Sequence, residues 1–421
     1  DHLHFQNSCF PKITCRNNIT QIGKYKKYPK NNLFYSWKKF YKKYYTEEHI
    51  KFPKFGKDTP AVIIHSGGTS GTPKNVVIQN RAFILGALQE NILMKKLHPG
   101  DCCLAIMPNF HGFGLSVLMH TPLALGCYSI LIPQFDSKKF DIMFHKKKPS
   151  CVLGVPTLYE ALMGNNNIKN LDLSNLKYIV SGGDILPKSL EDRMNKYLKE
   201  HNSPGKITQG YGLSEALAAV CLACDDINKS GSVGIPLPGN QIKIIDPASR
   251  ITLPYGEVGE ICVHSKAFMQ GYLNNESETN TALQVHKDGH VWLHTGDLGY
   301  MDSDGFVFYK GRLKRMIICS GYNVYPSHIE EVIESHPAVL QCTVVGVPHP
   351  YKQEIPKAFI VLKEGYVAMF IKDDIKAYCK KKLAKYMMPG EFVFRKRLPK
   401  TKLGKVDFKS LQKDTRGDCD E

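Results

Sequence analysis

The sequence predicts an α/β protein: a large domain of parallel sheets covered by helices and carrying a β-rich subdomain, followed by a small α+β domain. Three observations carry that expectation. From residue 61 to about 230, short apolar runs alternate with longer helical patterns, the rhythm of strands whose crossovers are helices. From about 231 to 310 the pattern changes to short strands broken by Gly, Pro and Asp turns, as in GSVGIPLPGNQIKIID and YMDSDGFVFYKG, which reads as a β-rich subdomain. Beyond Arg312 a compact set of strand and helix signals fills the rest of the chain.

In order, residues 1–60 form a basic lead-in, 61–313 the large domain and 314–421 the small one. PAVIIH supplies a strand over 61–65, and NRAFILGALQENILMKK a helix beginning near 79. CCLAIM, CYSILIP, CVLGV and LKYIVSGG read as strands, and PTLYEALM and LPKSLEDRMNKYLKE as the helices between them. The stretch Cys102 to Phe135 holds no charged residue, but Pro108, Pro122, Pro133 and several glycines divide it. Helix, turn and strand pieces inside a domain therefore fit it better than one membrane-spanning helix. In the small domain MIICSG, CTVVGV and KAFIVL read as strands and YPSHIEEVIESHP as a helix start, with a last helix near 371–383. Ser327 with Glu330 matches a capping box, and Ile329, Val332 and Ile333 mark the buried face.

The chain has 421 residues, 43% of them hydrophobic, which excludes a disordered polymer and allows a large core. Thirteen scattered cysteines, odd in number and without a framework, indicate reduced thiols and a cytoplasmic setting. Cys221-Leu-Ala-Cys224 has no second pair at zinc spacing and is expected to pack in the core. The formal charge is +17. Lysines and aromatics interleave in segment 24–57, a pattern that suits nucleic acid, anionic membrane at its periphery, or a plain solvated surface. Lysines spread along the whole chain favour the last. No RNP, zinc-finger or helix-turn-helix signature is present, so nucleic acid is not an expected partner. The sequence sets no oligomeric state.

SGGTSGTPK at 66–74 has almost no residue able to pack a core. Placed after the strand 61–65 and before the helix near 79, it is expected to be a strand-to-helix connection at the ligand-binding edge of a sheet. Its glycines let backbone N–H groups approach an anion, its hydroxyls add donors and Lys74 adds a charge. The loop is not a Walker A motif, because Pro73 precedes Lys74 and Asn75 follows it.

SGGTSGTPK, PNFHGFG at 108–114, QGYGLSEA at 209–216, HTGDLGYMDSDGF at 294–306 with YKGRLKRMI at 309–317, and LPKTKLGKVDF at 398–408 occur in this order. Together they resemble the motif series of the adenylate-forming superfamily: AMP-forming acyl-CoA synthetases, adenylation domains and firefly-type luciferases. The HSGGTSGTPK form is most similar to that of medium- and long-chain fatty acyl-CoA synthetases. The resemblance covers residues 61 to 408.

Each motif has a physical role beside the one implied by resemblance. Tyr211 offers an aromatic face for a base, and Glu215 stands in a Gly-rich turn beside the Ser214 hydroxyl, with Gly212 in the same motif. Glu215 is a hard oxygen ligand suited to Mg²⁺; the resemblance makes it the Mg²⁺ ligand, with Ser66 as a second. The bland reading of an isolated Glu is a solvated residue, and of Asp297 a turn-former. By similarity Asp297 holds the ribose of ATP and Arg312 supports it. Ser66, Thr69, Ser70, Gly71, Thr72 and Lys74 are expected to grip its phosphates. The lysine matching Lys405 enters the site in relatives and neutralises charge where a carboxylate attacks the α-phosphorus. The implied reaction forms an acyl adenylate with loss of pyrophosphate, then passes the acyl group to the thiol of coenzyme A. The small domain, mobile in relatives, rotates between the halves about a hinge at Lys314-Arg315, where many members carry an acidic residue in place of Arg315.

His111 stands near where amino-acid-activating relatives place an aspartate, which disfavours a free amino acid, and the uncharged surroundings suit an alkyl chain. A fatty acid is the expected substrate, with an aryl acid as an alternative. Only 65 residues precede the loop, fewer than half the number in most relatives, so the early part of the large domain is expected to be missing from this chain. Two further readings stay open: a ligase that loads a carrier protein in place of CoA, and an inactive or binding protein on the same scaffold.

Overall fold

The structure, a computed structural model, describes residues 55–66, 74–132, 140–165, 171–224, 227–400 and 406–414. The described residues begin with a hairpin. Strands β1 (Pro60–Ser66) and β2 (Lys74–Gln79) pair antiparallel, with Ile63 opposite Val77 and Ser66 opposite Lys74. The loop 66–74 is thus a strand-to-strand connection, not the strand-to-helix connection expected from sequence. Val76, Val77 and Ile78 explain the difference: β-branched residues favour a second strand, and the helix Asn80–Leu93 starts only after it.

A seven-stranded sheet follows. Its order is β4 (Tyr128–Leu131), β3 (Cys102–Ala105), β5 (Cys151–Gly154), β6 (Tyr178–Gly182), β7 (Ile207–Leu213), β8 (Ala218–Leu222) and β9 (Ile235–Pro236). The first five pair parallel and the last two antiparallel. Alternation within each parallel strand feeds two cores. Leu104, Val152 and Ile179 face one, with Leu158, Leu162, Met194 and Leu198 from the helices Pro156–Met163 and Lys188–Glu200. Cys103, Cys151 and Tyr178 face the other, with Leu93 and, from a π-helix at Phe113–His120, Val117 and Leu118. A sheet covered on both faces is what continuous apolar runs imply. Among the described residues no helix is long and apolar enough to cross a membrane; Cys102–Ile132 is split into strand and helix pieces, but Pro122 does not divide it, because the π-helix Phe113–His120 runs on into the helix Thr121–Ala124 with Pro122 in its first turn. Cys221 and Cys224 are buried and unbridged, as expected, and the Cys224 thiol donates to the Leu93 carbonyl.

One buried group opposes the fold. Glu90, on the helix Asn80–Leu93, is 2% exposed, and burial pushes its carboxyl up to about 8, with the Thr121 hydroxyl a smaller opposing influence. The folded protein keeps a proton there that the unfolded chain has lost, so stability falls as pH rises from about 4.5 to about 8. Glu90→Gln is expected to stabilise the protein by about 3 kcal/mol at pH 7 and by nothing below pH about 4. Urea unfolding at the two pH values checks this.

The β-rich part is an antiparallel sheet of β10 (Gln241–Ile245), β11 (Gly259–His264), β13 (Leu283–Val285), β14 (Val291–Met301) and β15 (Val307–Arg312), in the order β10-β11-β14-β13 with β15 also on β14. Between them β12 (Met269–Tyr272) returns to pair with β2 and completes the three-stranded sheet begun by the hairpin. The last sheet holds β16 (Ile317–Cys319), β17 (Tyr322–Val324), β18 (Val339–His349), β19 (Gln353–Leu362) and β20 (Glu391–Phe394), ordered β17-β16-β19-β18 with β20 parallel to β19. The helices Pro326–Glu334 and Ala368–Lys382 supply Ile329, Ile333, Ile375 and Cys379 to its core. The expected capping box is not formed. Pro326 occupies the first helical position, so Ser327 lies inside the helix and its hydroxyl donates to the Lys310 carbonyl, while Glu330 serves Arg315 and the Val344 N–H.

Candidate active site

β1 and β2 flank the Gly/Ser/Thr loop, placing Ser66 and Lys74 opposite each other at its two ends. Ser66 is buried. Thr69, Ser70, Gly71 and Thr72 lie outside the described residues. Lys74 forms an ion pair with Glu278, on the short helix Glu276–Ala282, and its ammonium stands 4.6 Å above the Tyr272 ring. Lys74 holds the Glu278 carboxyl below the usual range.

Tyr272 ties this corner to the next motif. Its hydroxyl donates to Glu215 Oε1 at 2.9 Å, and burial, with the Glu215 charge, pushes the phenol far above its ordinary pKa, so it remains a donor. Glu215 sits in a 3-10 turn, Ser214–Ala216, between β7 and β8. That turn is forced by an unusually close strand approach. A Cβ on Gly212 would lie 1.2 Å from the Ala218 carbonyl oxygen, so only glycine fits, and Leu217 and Ala218 take φ of 56° and 103°. Positive φ at two non-glycine residues is strain of the kind found beside functional groups.

On β7, Tyr211 is buried and donates its hydroxyl to Asp297 Oδ2 at 2.7 Å. Asp297, 1% exposed, also lies 3.0 Å from Arg312 Nε across the β14–β15 ladder, where the two residues are paired. Burial opposes the Arg312 charge, but Asp297 and then Tyr309 outweigh it and the guanidinium's pKa is raised. Glu215 contributes to that field as well, so the Glu215 and Asp297 corners belong to one polar region. The Tyr211 ring packs 6.0 Å from that of Tyr309.

His111 precedes the π-helix, and its Nδ1 accepts the Phe113 N–H at 3.2 Å. The Phe113 ring lies against Gly182 at the end of β6, where Gly182 pairs with Gly210 on β7. This segment therefore stands at the carboxyl ends of the parallel strands, the edge where α/β sheets bind ligands. Lys405 lies outside the described residues, but its flanks Lys400 and Val406 form an antiparallel bridge. Arg315, at the expected hinge, is held within the small unit: its Nη2 donates to Glu330 Oε1 at 2.6 Å and to the Val344 carbonyl at 3.2 Å, and its guanidinium stands 3.7 Å above Phe408.

Lys74 and Glu215 thus meet through Tyr272, and Tyr211 and Arg312 meet through the Asp297 carboxylate. Tyr272 and Glu278 were missed. The available signal was the pair GY and an acidic helix start in GYLNNESE, both unremarkable alone. The donor set suits a hard cation: Glu215 is a partly buried carboxylate with one oxygen held by Tyr272, which fits Mg²⁺. The arrangement offers a carboxylate for a diol, a cation for phosphates and an oxygen ligand for a metal.

Comparison with known proteins agrees with this chemistry. The profile of the AMP-binding enzymes matches residues 13–273, and that of the AMP-binding enzyme C-terminal domain matches 328–405. A long-chain-fatty-acid–CoA ligase of Bacillus subtilis (strain 168) is 36% identical over 363 residues, covering 85% of this chain and 62% of the relative. 4-Coumarate:CoA ligase 1 of Petunia hybrida is 31% identical over 378 residues, covering 87% and 67%. Among solved structures, ATP-bound MatB from Rhodopseudomonas palustris aligns with a TM-score of 0.76 at 27% identity, covering 85% of this chain and 68% of that one. O-succinylbenzoate coenzyme A synthetase (MenE) of Bacillus subtilis, in complex with ATP and magnesium ion, aligns with a TM-score of 0.74 at 29% identity, covering 88% and 74%. The chain spans 62% of the length of the Bacillus ligase. With its profile covering more than half of the sequence, the chain belongs to the AMP-binding enzyme family.

Proposed function

We propose that this protein activates a carboxylic acid, a fatty acid in the first instance, by forming an acyl adenylate from ATP and then a thioester with coenzyme A. The observation that carries this reading is a pair of polar clusters, Lys74 with Tyr272 and Glu215, and Asp297 with Tyr211 and Arg312, which suit the phosphates and the ribose of a nucleotide. Asp297 accepts the ribose hydroxyls, its orientation fixed by Tyr211 and Arg312. Lys74 and the loop hydroxyls hold the β- and γ-phosphates, so that the substrate carboxylate attacks the α-phosphorus in line and the bond to pyrophosphate breaks. Glu215, with Ser66, would hold Mg²⁺, which when bound supplies charge neutralisation to the phosphates. Lys405 stabilises the charge at the α-phosphorus, and His111 and Phe113 line the acid side. In the second half the CoA thiol attacks the acyl carbonyl and AMP leaves. The relatives' names support fatty and aryl acids as substrates; the uncharged run 102–135 favours the alkyl chain.

Incubation with ATP, Mg²⁺, CoA and palmitate, followed by mass spectrometry, tests the reading. AMP and palmitoyl-CoA should appear in equal amounts. ADP as the nucleotide product, or AMP without any thioester, contradicts it.

Glu278 pairs with the Lys74 ammonium and so competes with the phosphates proposed to bind it. Glu278→Gln is expected to lower the KM for ATP by about threefold, the scale of a partly exposed ion pair. Steady-state kinetics at varied ATP checks this.

A further inference from the structure

The strand that carries Asp297 departs from its neighbour at the position of the proposed ribose site. On the β11–β14 ladder Glu260 pairs with Leu298 and Cys262 with His294, so two steps along β11 answer to four along β14. Thr295, Gly296 and Asp297 bulge out opposite Ile261. A bulge re-aims a side chain and breaks ladder hydrogen bonds, and a buried N–H left without a partner is costly.

Side chains replace the lost ladder. The Thr295 hydroxyl donates to the Ile261 carbonyl at 2.7 Å and accepts the Asp297 N–H at 3.0 Å. Gly296, at φ +67°, donates its N–H to Glu260 Oε1 at 3.0 Å. The other Glu260 oxygen lies 3.0 Å from His294 Nδ1, and His294 Nε2 lies 2.9 Å from His286 Nε2. A buried carboxylate needs its oxygens satisfied; here one is spent on the bulge and the other on the ring that fixes the carboxylate. Cys262, whose Sγ is 3.7 Å from His294 Nδ1, completes a Glu–Cys–His triangle. The triangle is a poor metal seat, because the Glu260 oxygens and His294 ring nitrogens are already engaged and the Lys243 and Arg250 cations act on Cys262.

We propose that Glu260 and His294 are positioning residues for the nucleotide: they hold the bulge that aims Asp297 toward Tyr211 and Arg312, and so set ATP affinity without touching the acid site. This rests on the assignment of Asp297 to the ribose.

Full-length Glu260→Ala, Glu260→Gln and His294→Ala test it, by KM for ATP and for palmitate and by hydrogen exchange of the Thr295–Asp297 amides. Removing the acceptor of the partly buried Gly296 N–H should raise the KM for ATP about tenfold in Glu260→Ala, leave the KM for palmitate unchanged and speed exchange at 295–297. Glu260→Gln keeps an oxygen for Gly296 and should return the KM for ATP to within about threefold of the parent. If Glu260→Ala does not fold, His294→Ala carries the same selective expectation at about threefold. Parental ATP KM with parental exchange overturns the proposal, as do equal rises in both KM values or a Glu260→Gln as impaired as Glu260→Ala. The exchange comparison needs no turnover: a parent that makes no AMP refutes the proposed function, while exchange at 295–297 still decides whether Glu260 holds the bulge.

Discussion

Lys405→Ala is expected to cut acyl-adenylate formation by about a hundred- to a thousandfold, the usual consequence of removing one donor aimed at charge that develops in the transition state. ATP binding should change little, because the ribose and phosphate contacts proposed for Asp297, Lys74 and the loop remain. The expectation separates Lys405 from other lysines of the same stretch: Lys402→Ala should stay within about threefold of the parent, as surface charge changes do. Single-turnover adenylate formation, with nucleotide binding measured by calorimetry, provides the comparison. The pairing of Lys400 with Val406 and the stacking of Arg315 on Phe408 give the stretch a defined base. Equal loss of binding and chemistry would assign Lys405 to ground-state affinity instead.

Asp297→Ala should be the most damaging change at the nucleotide end. It removes the partner of Arg312 at 3.0 Å and of the Tyr211 hydroxyl at 2.7 Å, stranding a cation and a buried donor. Breaking such a pair from one side costs about 3 kcal/mol of stability, on the low side of the buried-pair range because Arg312 is partly exposed. ATP affinity should fall by about a hundredfold as the ribose acceptor is lost. Asp297→Asn retains an acceptor for Tyr211 but not the charge facing Arg312, and should lose less stability than alanine while losing nearly as much ATP affinity. Thermal denaturation and calorimetric titration of ATP check the two parts. An alanine variant with parental ATP affinity would remove Asp297 from the site.

Much of this was legible from residues alone, for reasons that differ by element. β3, β5 and β6 are short apolar runs in a sheet covered on both faces, so hydrophobicity and spacing were sufficient, whereas β7, whose ITQGYGL carries Thr, Gln and two glycines, was not read as a strand. Lys74, Glu215, Asp297 and Arg312 were singled out through the resemblance of their motifs; taken singly, Glu215 reads as a solvated residue and Asp297 as a turn-former. β2 was not seen because KNVVIQ is a six-residue strand directly abutting a helix, and the apolar pattern runs on without a break. Glu278 meets Lys74 across 204 residues and Tyr272 meets Glu215 across 57, pairings that no window along the chain contains. Glu260 and His294 lie in strand patterns that look ordinary; the one available signal was a Glu on an otherwise apolar, buried strand. Ser327 and Glu330 had the spacing of a capping box, but Pro326 started the helix early and long-range partners took both side chains.

Exchange of labelled pyrophosphate into ATP measures directly the half-reaction proposed for Lys74, Glu215, Asp297 and Lys405, the adenylation of a carboxylate. Over a panel of medium- and long-chain fatty acids, aryl acids and amino acids, exchange should depend on the acid, be greatest with fatty acids and be nearly abolished in Lys405→Ala. No exchange with any carboxylate, or exchange of the same rate with and without Lys405, would contradict the account.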